Sequence, residues 1–251
     1  MFMKRRTAGI FAAIALILGK FGAKLWALVK LLALAKGPVL TMLLTIVAYA
    51  VFLGWPFAIG FVLLLFVHEM GHVVAIRMKG GEASLPYFIP FLGAFIRLRT
   101  QFADPREDAF VGIAGPIAGT VGAVICWFWY GWTGSILMLF LSYVGFFVNL
   151  FNLLPVYPLD GGRVVRAVHR KLWGAGLAVA AAIAVTRPNL ILFLILIFGF
   201  LEFWRMRNQP DIWIPVSSRI GYGVLYFGLV AFLAVASWGT HSLLLQLGPP
   251  T

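Results

Sequence analysis

His68, Glu69 and His72 stand in the string His68-Glu69-Met70-Gly71-His72, inside an apolar run from Phe57 to Ile76 that is long enough to cross a bilayer. Ionisable side chains are so costly in hydrocarbon that their presence there points to function. On a helix, residues four apart share a face, so the two imidazoles can grip one metal ion with the Glu69 carboxylate beside them. These residue types at this spacing predict a zinc hydrolase in which Glu69 is the general base. The chain has only four His and four Glu among 251 residues, so a chance match is expected roughly once in a thousand such chains. The competing reading is a histidine pair hydrogen-bonded to neighbouring helices, which leaves a buried carboxylate to be explained.

A catalytic zinc takes three protein ligands and keeps one position open, so a third ligand is needed. Of the eight acids, Glu82, Asp104, Glu107 and Asp108 fall in the polar segment after the histidine run, and Asp211 follows Pro210. Glu202 lies beside Trp204 and Arg205, where it is expected to pair with a cation. Asp160 remains, in Asn152-Leu153-Leu154-Pro155-Val156-Tyr157-Pro158-Leu159-Asp160-Gly161-Gly162-Arg163. Two prolines break any helix there and two glycines permit tight turns. Irregular backbone at membrane depth is tolerated only where it is buried in protein or lines a cavity. Asp160 alone would suit a cap for a helix starting near Arg163; beside the histidine motif, the reading as third ligand prevails.

The elements that must hold these residues are membrane helices. Hydrophobic residues make up 62% of the chain, charged ones 11%, and mean hydropathy is +0.98, which describes a polytopic membrane protein. The expected fold is all-α, with about six to seven transmembrane helices near 38–54, 57–77, 109–130, 135–155, 172–186, 190–204 and 221–238. The 172–204 stretch is read as a crossing hairpin around Arg187-Pro188-Asn189. With the amino terminus in the cytoplasm, every Lys and Arg except Arg187 falls on the cytoplasmic side. The net charge of +12 is therefore a positive-inside signal and an attraction to anionic lipid, and no nucleic-acid partner is expected. The lone Cys126 excludes a disulfide framework and a cysteine metal site. Residues 1–37, basic and punctuated by lysines, are expected to form an amphipathic helix on the membrane surface, a spanning helix being the alternative.

Taken as a pair, the HEMGH string and the NLLPVYPLDGG string resemble the site-2 protease family of intramembrane zinc metalloproteases over about residues 38–205. The resemblance implies that His68, His72 and Asp160 hold one zinc ion, that Glu69 activates water, and that Asn152 holds substrate or stabilises the oxyanion. Gly115-Pro116-Ile117-Ala118-Gly119 resembles the family's small-residue motif and is assigned to close helix packing around the site. Between the second and third spans, Gly80 to Phe102 is too polar and proline-broken to span, and Pro86 to Arg99 reads as apolar strands about a turn near Leu92-Gly93. The family implies a membrane-associated hairpin or re-entrant loop here. It either pairs with an extended substrate or anchors in the interface.

The domain plan is thus an interfacial segment (1–37), a protease core (38–205), and a loop, extra helix and tail (206–251), without the PDZ or nucleotide-sensing domains of many family members. The implied activity is hydrolysis of transmembrane segments of other membrane proteins, at a site open to the cytoplasm in an inner or plasma membrane. Substrate choice would rest on the membrane portion or an adaptor. Two rival classes are a non-catalytic helix-binding homologue and a membrane metal-binding or transport protein.

Overall fold

The computed structural model describes residues 37–97, 102, 104–169, 171–186, 190–207 and 213–248. The expected surface helix in 1–36 and the Arg187-Pro188-Asn189 turn lie outside these residues. Eight helices and one two-stranded hairpin follow in chain order among the described residues. They are α1 (Pro38–Leu53), α2 (Trp55–Met78), β1 (Tyr87–Ile89), β2 (Gly93–Phe95), α3 (Pro105–Thr133), α4 (Ile136–Asn152), α5 (Asp160–Val168), α6 (Lys171–Thr186), α7 (Leu190–Arg207) and α8 (Val216–Leu247).

Three helices, α2, α3 and α8, are long and apolar enough to cross a membrane. At 1.5 Å per residue their 24, 29 and 32 residues extend about 36, 43 and 48 Å, against about 30 Å of hydrocarbon. Helices α1, α4 and α6, with 16, 17 and 16 residues, are shorter than that thickness. Among the described residues, length and composition therefore support three spans directly, where the expectation was six to seven.

Boundaries depart from the hydropathy reading where polar turns remain helical. Helix α3 begins at Pro105 because Asp104 caps it: its Oδ1 accepts from the Arg106 N–H at 2.8 Å. The Arg106 guanidinium grips the same carboxylate at 2.6 to 3.1 Å and holds the Asp104 carboxyl below its ordinary range. Asp108 in the first turn, read as loop, instead receives Arg163 at 2.8 and 2.9 Å and Arg166 at 3.5 Å from α5. Glu202 pairs with Arg205 at 3.3 Å, as expected.

Helix α3 is the centre of the bundle, packing on α2, α4 and α5, whereas α8 lies along α4 and α5. Ile113 and Ala123 of α3, Phe146 of α4, Val164 and Val165 of α5, and Tyr226 and Leu233 of α8 share one buried cluster. Large apolar side chains cover the outer faces, among them Trp132, Val185 and Phe128. Such a surface is suited to lipid.

The hairpin pairs Tyr87 with Phe95, Phe88 with Ala94 and Ile89 with Gly93, antiparallel. It lies against α1 and α2, with Phe88 buried among Ile46, Ala58 and Val62. The Phe88 N–H donates to Thr41 Oγ1 and the Phe91 N–H to Tyr49 Oη, each at 3.2 Å. The rings of Tyr49 and Phe52 close on Phe91 at 5.1 and 5.7 Å. The hairpin therefore runs alongside α1 from its first turn to its last. Since the Phe88 N–H points away from β2, its partner Ala94 likewise turns its backbone groups to the outer edge of β2.

Candidate metal centre

Helix α2 sets His68 and His72 one turn apart and buried, and α5 begins at Asp160, whose side chain is 13% exposed. His68 Nε2 and Asp160 Oδ2 lie 3.1 Å apart, His72 Nε2 and Asp160 Oδ2 3.3 Å, and the two Nε2 atoms 3.3 Å. Among the described residues these three form the one group of His, Cys, Asp or Glu side chains able to hold a metal ion. Asp160 is the first residue of α5, whose N-cap is Leu159; its carboxylate faces the imidazoles.

The far side of each ring fixes its tautomer. His72 Nδ1–H donates to the Val111 carbonyl of α3 at 2.7 Å. Asn149 donates through Nδ2 to the Gly145 carbonyl at 2.7 Å, so its Oδ1, 2.8 Å from His68 Nδ1, is an acceptor and His68 Nδ1 carries the proton. Both Nε2 atoms therefore present lone pairs towards the Asp160 carboxylate. Three acceptors converging in a buried site call for a cation. Zinc fits them: ligands about 2.05 Å from a tetrahedral centre lie about 3.3 Å from one another, and the three separations observed are 3.1, 3.3 and 3.3 Å.

Small residues let α3 approach this closely. A Cβ on Gly115 would overlap the His72 ring, and one on Gly119 would overlap the Asn149 amide. A Cβ on Gly71 would meet the Ala114 carbonyl at 2.5 Å. The Gly115-to-Gly119 motif thus packs against the site's own side chains, not merely helix against helix. On the other flank, a Cβ on Gly161 would overlap the Leu153 carbonyl, so the chain doubles back tightly between the broken end of α4 and Asp160. Gly112 allows α5 to rest on α3, with Arg163 clamped to Asp108.

The Glu69 side chain is partly buried beside His68 and makes no hydrogen bond or ion pair to a described residue. Asn152, half-buried at the end of α4, likewise makes none. The amide that touches a ligand is Asn149, one turn earlier, which sequence reasoning missed. Its signal was available: a polar residue in the apolar run Phe146-Phe147-Val148-Asn149-Leu150-Phe151 of a membrane helix.

Comparison with known proteins agrees with this centre. The model for peptidase family M50 matches residues 56–135 and 130–196, which contain His68, Glu69, His72 and Asp160. Zinc metalloprotease MJ0392 of Methanocaldococcus jannaschii is 28% identical over 150 residues, 56% of this chain and 42% of that protein. Rip3 of Mycobacterium tuberculosis, also named as a zinc metalloprotease, is 30% identical over 193 residues, 71% of this chain and 48% of that protein. The chloroplastic EGY2 of Arabidopsis thaliana, again bearing a zinc metalloprotease name, is 24% identical over 223 residues, 68% of this chain and 40% of that protein. The chain spans less than half the length of these curated relatives.

Proposed function

The chain belongs to peptidase family M50, and on that premise we propose that it is an intramembrane zinc metalloprotease that hydrolyses peptide bonds in or near transmembrane segments of other membrane proteins. The observation that carries this reading is the convergence of His68 Nε2, His72 Nε2 and Asp160 Oδ2 beside the Glu69 carboxylate, which has no partner among the described residues.

Zinc held by these three residues would polarise the scissile carbonyl and lower the pKa of water. Glu69 takes the proton from the attacking water and delivers it to the leaving amine nitrogen. Asn152, whose amide has no partner among the described residues, donates to the carbonyl oxygen as negative charge develops there. A transmembrane helix must unwind before its peptide bond can be cut, and its freed backbone groups then need partners. The outer edge of β2, where the Ala94 backbone groups point, supplies them by adding the unwound substrate as a strand.

The chain crosses the membrane six or seven times in this reading, the shorter α1, α4 and α6 spanning with the loops that extend them. The site opens to the cytoplasm, towards Arg77 and Lys79 at the end of α2. Substrate choice falls to the membrane portion or to an adaptor. The test is cleavage of candidate transmembrane segments by protein reconstituted in liposomes, comparing wild type with Glu69→Gln. Cleavage is expected to fall about 10²- to 10⁴-fold while zinc stays bound. Undiminished cleavage by the variant would remove this mechanism.

A further inference from the structure

Tyr226 of α8 carries a hydroxyl into an apolar interior and spends it on the broken end of α4. Its side chain is 3% exposed, packed with Leu153, Val164, Val165 and Trp173. The hydroxyl donates to the Leu153 carbonyl at 2.5 Å. Leu153 is the C-cap of α4, and Pro155 stops the helix two residues later, so this carbonyl has lost its helical donor. Phenylalanine would fill the same space without the cost of burying a hydroxyl. The hydroxyl is there for the carbonyl.

That carbonyl is also the surface against which Gly161 is pressed, so closely that a Cβ there would overlap it. Gly161 is covalently next to Asp160. A short physical chain therefore runs from Tyr226 Oη through the Leu153 carbonyl and Gly161 to the carboxylate that faces His68 and His72. The same loop is tied again from the other side, where Trp173 Nε1 donates to the Gly162 carbonyl at 2.6 Å. One turn before Tyr226, Tyr222 makes a superficially similar bond, its hydroxyl donating to the Arg106 carbonyl at 2.7 Å. That bond docks α8 on the start of α3 and touches nothing in the Asp160 loop. The two tyrosines are a matched pair, one on the site and one off it.

We infer that Tyr226 is a positioning residue for Asp160, so that the geometry of the metal centre depends on α8, a helix outside the residues 56–196 matched by the family. The inference rests on the reading of His68, His72 and Asp160 as metal ligands. Tyr226 touches neither metal nor substrate; it holds the backbone from which the third ligand projects.

The experiment compares wild type, Tyr226→Phe and Tyr222→Phe as full-length protein in detergent, by zinc affinity against a competing chelator and by the visible absorption of the cobalt-substituted form. Tyr226→Phe is expected to weaken zinc binding about tenfold, the lower end of the effect of outer-shell partners, and to alter the cobalt bands. Tyr222→Phe is expected to change thermal stability without moving either readout. Affinity and cobalt spectrum of Tyr226→Phe matching wild type would overturn the inference, as would equal losses in both variants, which would mean simple docking of α8. Failure of wild type itself to bind zinc or cobalt would instead sink the underlying metal-centre reading, and the inference with it. A second measurement avoids dependence on the folding of Tyr226→Phe: 3-fluorotyrosine, which keeps the hydroxyl, is placed at 226 or at 222 and followed by ¹⁹F NMR. Zinc is expected to move the resonance at 226 and leave that at 222 in place; a stationary signal at 226 would refute the coupling.

Discussion

Replacing Asn149 with leucine removes the one acceptor for His68 Nδ1–H while keeping similar volume. The bond lost is 2.8 Å long and buried, and Asn149 is itself anchored on the Gly145 carbonyl at 2.7 Å. Both residues are only 4 to 5% exposed, so without this partner the ring loses its fixed orientation and its Nε2 lone pair some of its basicity. Loss of such a partner to a metal-bound histidine costs about 10- to 100-fold in metal affinity, or about 1.4 to 2.7 kcal/mol. The assay is chelator competition on purified protein, with Asn149→Asp as the counterpart that retains an acceptor. Asn149→Leu is expected to bind zinc at least tenfold more weakly, and Asn149→Asp, which keeps the acceptor but loses the donor to the Gly145 carbonyl, to recover only part of the loss. Asn152→Leu, by contrast, is expected to leave zinc affinity intact and lower the cleavage rate. An Asn149→Leu protein that is folded and binds zinc within twofold of wild type would refute the assigned tautomer and the support it gives to His68.

Gly115→Ala places a methyl group where the His72 ring now lies, and is expected to reduce bound zinc per folded molecule as measured by metal analysis. Ala94→Pro deletes the outward N–H of β2 while sparing the Tyr87–Phe95 and Ile89–Gly93 pairs, so cleavage of a transmembrane substrate is expected to fall with zinc affinity unchanged. Asp104→Ala removes the α3 cap and is expected to cost about 0.5–2 kcal/mol of stability at neutral pH. Because Arg106 holds the folded-state carboxyl below its ordinary value, this contribution is present above about pH 4 and fades as pH falls through the lowered folded value. Thermal melts of wild type and variant are therefore expected to converge in acid.

Much of the site was legible because its signals are local. The four-residue interval between His68 and His72 needs only the helical period, and Asp160 follows from the scarcity of acids and from two prolines in one short segment. Asn149 escaped because its role depends on which turn of α4 faces His68, a matter of packing 81 residues away in sequence. The glycine motif was placed beside the site, yet its contacts with His72 and Asn149 required the crossing of α3 to be known. Helix ends were read too short at 109 and at 221–238, since hydropathy cannot see a charged turn that stays helical, as Arg106 to Asp108 does.

The position of His68 along α2 has a kinetic meaning. Thirteen residues separate it from Trp55 and ten from Met78, so it lies about 20 Å from one end of the helix and about 15 Å from the other. On the proposed reading, hydrolysis at that level consumes a reactant that is plentiful outside the bilayer and scarce among acyl chains. Turnover on that reading therefore requires that water reach this depth from the membrane surface.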